Sequence, residues 1–229
     1  MTFTKLYDTA AAAVADVHNG ATVLIGGVSR TGEPTALLAA LHSHGAAGLT
    51  IVCDFSGWDG SDSIVKLAAD GRIARIISPN PYPSASGDNL REVWNSAGVA
   101  IESVPQGTLA ERLRAAGAGI GGVFVPVGLG TRFADGRETR TINGVECILE
   151  SPLRADFALV RAASADTLGN LAYQGAQRGW NAVMATAARI TITQADTVGE
   201  PGAIGPELVI TPGIYVNRVV HIPPTGEQG

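Results

Sequence analysis

Two short apolar runs, ATVLI at 21–25 and LTIVCDF at 49–55, constrain this chain more than any other feature. Neither alternates apolar with polar residues as a strand with one wet face does, so both are expected to be parallel strands buried on two sides. Each stops at a turn-forming segment, and each is followed by a helical pattern. Residues 34–44 open with Pro34 at a first helical position and repeat Leu37, Leu38 and Leu41 on one face; a second helix is expected around 62–70, before a strand in RIARIIS at 72–78. Strand, helix, strand alternation predicts an α/β fold: an open, mostly parallel sheet with helices on both faces.

The remaining elements follow from local pattern. Leu6, Ala10, Ala13, Val14 and Val17 stand at helical spacing, so 4–17 is expected to be a helix ended by His18-Asn19-Gly20. A Pro/Ser/Gly-rich loop is expected at 79–89, a short helix at 90–97, a strand at 99–104 and a helix at 108–116. GAGIGGVFVPVGLGT, at 117–131, is too rich in glycine for a long regular element. In TRTINGVECILE the pair Asn143-Gly144 marks the two-residue turn of an antiparallel hairpin, inserted near 139–149. The last third returns to α/β: strand and loop over 156–166, a helix at 178–188, strands at 189–195 and 207–212, and a frayed tail at 222–229. The 229 residues suit a single domain.

Composition narrows the function. Glycine supplies 29 of the 229 residues, about twice its usual share, without a collagen period. A net charge of −5 with no cluster of Lys and Arg argues against nucleic acid. Cys53 and Cys147 are too few and too far apart for a disulfide framework. His18, His42, His44 and His221 are scattered, so no metal is expected. MTFTKLYDTA has no secretory pattern and no stretch is long and apolar enough for a membrane span. The expectation is a cytoplasmic protein.

Chemistry has few places to sit. After strand 21–25 the loop Gly26-Gly27-Val28-Ser29-Arg30-Thr31-Gly32-Glu33-Pro34 leads into a helix, an arrangement that can hold an anion or remain a plain tight turn. It fits neither the Walker A nor the dinucleotide pattern. Gln106, where a strand end meets a helix start, sits on the rim at which open α/β sheets bind ligands. Thr108 and Glu111 beside it match a capping box. The glycines at 117, 119, 121, 122, 128 and 130 are either turns or a backbone surface that a ligand or partner approaches. Cys53 reads as a small core residue, Asp54 is open to function, and Trp58, Trp94 and Trp180 read as core or interface.

These residues carry a resemblance. NGATVLIGG at 19–27 with Gly32 and Pro34, PQGTLAERLRAAGAGI at 105–120, PVGLGT at 126–131, ILESPLRADFALVRA at 148–162, GNLAY at 169–173 and ITPGIYVNRVV at 210–220 together resemble the A (alpha) subunit of family I 3-oxoacid coenzyme A transferases. The resemblance covers nearly the whole chain. It implies an exchange in which an acyl-CoA, commonly succinyl-CoA, gives its CoA to a 3-oxoacid such as acetoacetate or 3-oxoadipate. Coenzyme A then enters as a thioester substrate, with no tightly bound cofactor. The nucleophilic glutamate is expected on a partner chain, the CoA-transferase B subunit, in an A2B2 heterotetramer. By the same resemblance Gln106 contacts the reacting thioester or carboxylate, and Gly26, Gly27, Gly32, Asp54 and Phe55 line the substrate and CoA site.

The chain departs from the resembled pattern at three places. Val28 replaces a phenylalanine, Cys53-Asp54-Phe55 stands where relatives carry Ser-Asn-Asn, and Arg178-Gly179-Trp180-Asn181 where they carry Arg-Asn-Phe-Asn. An Asp in place of an amide bears on which acids bind, through like-charge repulsion. Two other readings stay open on the sequence: a CoA-thioester or ring-opening hydrolase on the same scaffold, and a non-catalytic CoA-binding subunit.

Overall fold

The computed structural model describes residues 5–28, 31–56, 62–83 and 90–224. Ser29, Arg30, Trp58, most of the 79–89 loop and the end of the tail lie outside them.

The chain begins with a two-residue strand β1 (Leu6–Tyr7) and one helical turn α1 (Ala10–Ala13), then β2 (Thr22–Ile25), α2 (Thr35–His44), β3 (Leu49–Val52), α3 (Asp62–Ala69), β4 (Ile73–Ser78), α4 (Leu90–Ser96), β5 (Ala100–Ser103) and α5 (Gln106–Ala118). Three strands follow: β6 (Val123–Val125), β7 (Thr139–Ile142) and β8 (Val145–Glu150). The chain then re-enters the main sheet through β9 (Ala155–Asp166), β10 (Leu171–Ala172), α6 (Asn181–Ala187), β11 (Ala188–Gly199) and β12 (Arg218–His221).

The main sheet runs β1-β12-β11-β9-β2-β3-β4-β5, parallel throughout, with β10 added antiparallel to β9. Successive side chains of a strand face opposite ways, and the two cores divide accordingly. Val23, Ile25, Ile51, Cys53, Phe55, Phe157 and Leu159 face α1 to α4. Leu24, Val52, Ala158, Val160 and Ala162 face α5 and α6. The expected parallel sheet with helices on both faces is therefore present. The hairpin is present too: β7 and β8 pair antiparallel around Asn143 and Gly144, whose φ values of 51° and 80° are those of a primed turn. It is part of a three-stranded sheet β6-β8-β7.

Three expectations need correction. The helix at 4–17 shrinks to Ala10–Ala13, capped by Thr9, because Leu6 and Tyr7 are drawn into the sheet edge against β12. At 207–212 there is a 3-10 turn, Pro206–Leu208, and one bridge from Thr211 to Leu171; Pro206 favours the turn, and the strand in this region is β12. The glycine-rich 117–131 segment holds no long element of its own, as expected, only the three-residue β6, which pairs with β8. Finally, the Thr108–Glu111 capping box does not form. Pro105 occupies the cap position, Thr108 is buried with its hydroxyl lacking a hydrogen-bond partner, and Glu111 pairs with Arg114 one turn on.

Candidate active site

In the order of the main sheet the chain proceeds from β2 towards β3, β4 and β5 on one side, while β9, β11 and β12 lie on the other. The crevice between β2 and β9, at the carboxyl ends of the strands, is thus the switch point at which open α/β sheets bind ligands. Gly26, Gly27 and Gly32 follow β2, Asp54 and Phe55 follow β3, and Gln106 follows β5, all after the carboxyl ends of their strands.

Gly26 and Gly27 end β2. Gly26 donates its N–H to Leu159 O on β9 at 2.9 Å, and Val28 and Thr31 exchange backbone bonds that close the loop. Gly27 turns with φ 98°. The space beside Gly26 and Gly32 is filled by the buried side chain of Asn181, at the start of α6. Its carbonyl accepts from Arg161 N at 3.0 Å, and its amide donates to Gly32 O at 2.9 Å and Gln177 O at 2.8 Å. A Cβ on Gly26 would lie 1.9 Å from Asn181 Oδ1. These glycines are needed so that the loop can lie on Asn181; the sequence shows the need for glycine but not the residue that imposes it.

Gln177, buried in the 3-10 turn Gly175–Arg178, donates to Asp196 Oδ2 at 3.3 Å, and Asp196 Oδ1 accepts from Arg161 Nε at 2.9 Å. Gln194 Oε1, on β11 two strands away from β2, accepts from Ala36 N at 2.9 Å and so caps the first turn of α2. None of this polar network was legible as such, since its members come from distant segments of the chain with no local spacing to join them.

Asp54 follows β3 on the side of α5 and α6. It is 7% exposed, and Trp180 Nε1 donates to its Oδ2 at 2.8 Å while Ser56 N donates to its Oδ1 at 2.7 Å. Phe55 points the other way, as alternation requires, and packs on Trp94 at 5.5 Å between ring centroids. Its side chain belongs to the core. Burial pushes the Cys53 thiol well up, and the Asp54 and Glu33 carboxylates nearby push the same way, which keeps it un-ionised and unsuited to nucleophilic attack.

Gln106 is the first residue of α5, exposed, on the same rim and face as Asp54. Pro105 at the N-cap has no side-chain group to bond the first turn of this 13-residue helix, and the positive end of the helix dipole favours negative charge beside it. Among the described residues no three His, Cys, Asp or Glu side chains converge as a metal site, and no helix is long and apolar enough to cross a membrane. A cavity of about 410 Å³ lined by Arg154, Asp156 and Arg189 lies at the opposite, amino ends of β9 and β11.

The rim can thus offer an amide, the start of a helix and a glycine-shaped wall to a carboxylate or thioester. The family model for coenzyme A transferase matches residues 7–221. The chain belongs to the coenzyme A transferase family. As a CoA-transferase it is 42% identical over 218 residues to the A subunit of 3-oxoadipate CoA-transferase from Pseudomonas putida, covering 95% of this chain and 94% of that one. It is 40% identical over 237 residues to the A subunit of the probable succinyl-CoA:3-ketoacid coenzyme A transferase from Mycobacterium tuberculosis, covering 96% and 94%. The solved glutaconate coenzyme A-transferase of Acidaminococcus fermentans shares the fold, with a TM-score of 0.80 at 20% identity over 96% of this chain and 76% of that one.

Proposed function

We propose that this CoA-transferase chain is the A subunit of a heteromeric enzyme that exchanges CoA between an acyl-CoA, with succinyl-CoA the first to test, and a 3-oxoacid such as acetoacetate or 3-oxoadipate. The observation that carries the reading is the whole-length likeness to chains that bear the name of the A subunit in such transferases. The net exchange turns one thioester and one free carboxylate into the reverse pair, with CoA entering as substrate and no resident cofactor required. On this reading the B subunit's glutamate attacks the thioester carbonyl and expels CoA as thiolate, leaving an acyl-glutamyl anhydride; the thiolate then attacks the glutamyl carbonyl of that anhydride, releasing the first acid as carboxylate and leaving a glutamyl-CoA thioester. The second acid's carboxylate attacks this thioester, and the same steps in reverse release its CoA thioester and the free glutamate.

Gln106 is assigned the contact to the reacting carbonyl. Its amide and the N–H groups at the start of α5 would stabilise the oxyanion of each tetrahedral step, a preorganised arrangement that needs no rearrangement at the moment of reaction. Gly26 and Gly32 hold the loop against Asn181, Gly27 turns it back on Gly32 and Glu33, and the three so shape the wall beside the substrate and CoA. Asp54 lines the acyl end and Phe55 supports it from the core. The assembly is taken as a cytoplasmic A2B2 heterotetramer without nucleic acid or membrane.

The test is co-expression with the candidate B chain from the adjacent reading frame, followed by CoA exchange with succinyl-CoA against acetoacetate and 3-oxoadipate, with each of the two chains assayed alone as well. Turnover only with both chains and an acid acceptor supports the reading. Release of CoA without an acceptor, or activity of this chain alone, overturns it.

A further inference from the structure

The three-stranded sheet β6-β8-β7 is separate from the main sheet, and β7 forms one of its edges. Thr139, Arg140, Thr141 and Ile142 of β7 are all exposed, and among the described residues β8 is the only strand that pairs with them. Glu138 O, just before β7, accepts from Leu149 N at 2.8 Å, and the turn at Asn143-Gly144 closes the other end. In an antiparallel pair every second residue bonds to the partner strand. Glu138, Arg140 and Ile142 therefore turn their backbone groups to β8. Thr139 and Thr141 turn theirs outward, where no group among the described residues meets them. An open edge of this kind is a template for another strand, and proteins usually blunt it with a proline, a bulge or a charge. Here the register with β8 runs without a shift and no proline occurs. The one charge, Arg140, is matched by Glu138 at 3.0 Å and lies over the Phe124 ring.

We propose that the outer edge of β7 is the contact between two copies of this chain in the assembled enzyme, made by antiparallel pairing of β7 with β7 about a two-fold axis at Thr139. It rests on the heteromeric reading and locates the meeting of the two A chains. Charge selects both the occupant and the register. Across this axis Glu138 of each copy stands opposite Arg140 of the other, at the positions between bonded pairs where side chains come closest. The two Glu138–Arg140 pairs close into one network, which a strand of unrelated sequence would not complete. An axis at Arg140 would oppose like charges, and one at Thr141 would set Arg140 against Ile142. With the axis at Thr139 the two Thr139 residues exchange both backbone bonds, and Thr141 N–H reaches Arg137 O of the second copy. Arg137 leaves that oxygen free for the purpose: its own N–H donates to Ala134 O at 3.1 Å and its guanidinium is held by Glu150. Two-fold pairing uses the same edge on both copies and so stops at two. A contact of about five residues a side is smaller than a stable dimer needs by itself, so the edge joins A chains that are each also held by a B chain.

The experiment uses the assembled enzyme of both chains. Residues that exchange backbone bonds across an antiparallel pair stand about 5.5 Å apart between Cα atoms, within reach of a disulfide. Thr139→Cys is therefore expected to link two A chains on treatment with diamide, seen as twice the A-chain mass on a non-reducing gel. Thr141→Cys, about 14 Å from its counterpart across the axis, is expected to stay unlinked. Wild type, whose Cys53 and Cys147 are buried, is the control. In sedimentation, Glu138→Arg is expected to weaken the association of the two A–B halves about tenfold, by setting arginines opposite each other on both sides of the axis. Combining Glu138→Arg with Arg140→Glu is expected to restore it, a recovery that a damaged fold could not show. No linkage through Thr139→Cys, linkage of it to the B chain, linkage through Thr141→Cys as readily, or no recovery in the double variant overturns the proposal. Where this chain binds no B chain it is the heteromeric reading that fails, and the two cysteine variants then decide the edge on this chain alone.

Discussion

The side-chain oxygen of Asn181 occupies the place where a side chain on Gly26 would begin, 1.9 Å from an ideal Cβ. One buried amide thereby joins the end of β2, the middle of β9, the loop at Gly32 and the turn at Gln177. Gly26→Ala is expected to destabilise the chain by about 3 kcal/mol, since the methyl group must displace Asn181 and break those bonds. Asn181→Ala is expected to cost a similar amount by leaving a buried N–H and two carbonyls unpaired. The double variant should cost clearly less than the two added together, because truncating Asn181 makes room for the methyl group. Urea unfolding of the four proteins in the cycle measures this, and strict additivity would show that the two residues are not coupled in this way.

Thr108 presents the opposite situation. It is 2% exposed in the first turn of α5, and its hydroxyl has no hydrogen-bond partner. A buried hydroxyl that has lost water without gaining a partner is destabilising, and valine has nearly the same shape. Thr108→Val is accordingly expected to raise stability by about 1 kcal/mol. A fall in the denaturation midpoint would mean that the hydroxyl is satisfied in solution.

The parallel sheet was legible because Ile25, Leu24 and their neighbours in β2 and β3 must be apolar on both faces, and no other common element demands that. Asn143-Gly144 was legible for a similar reason, since few dipeptides tolerate two successive positive φ angles. The 4–17 helix misled because propensity is weak beside tertiary pairing: Leu6 and Tyr7 gain a strand partner, β12, from the far end of the chain. At the candidate site, the position of Gln106 between a strand end and a helix start was readable. Asn181 and the Asp54–Trp180 bond were not, because each joins segments more than a hundred residues apart, and a local pattern carries no trace of such a contact.

Gln106 is exposed and makes no contact that holds the fold together among the described residues, so activity and stability should separate at this position. Gln106→Ala in the assembled enzyme is expected to lower kcat by about 10²–10³-fold, the usual loss for one oxyanion donor, with Tm unchanged. The comparison of steady-state kcat with a thermal melt decides it. Unchanged turnover would move the catalytic contact elsewhere on the rim and leave this chain with a binding role.

Tyr173 gives the fold an alkaline limit. Its hydroxyl shares a 2.7 Å hydrogen bond with Thr211 Oγ1, and burial pushes its pKa up to about 12. In the unfolded chain a tyrosine ionises near about 10. Between these values the unfolded state has lost the proton and the folded state keeps it, so stability falls as pH rises through this window and is fully present below it. The loss by its upper end is about 2–3 kcal/mol. Tyr173→Phe should be about 1 kcal/mol less stable than wild type at about pH 8, for want of the bond to Thr211, and should lose less on going to about pH 11.5. Denaturation midpoints of both proteins at the two pH values test this. Parallel curves would assign the alkaline limit to other groups.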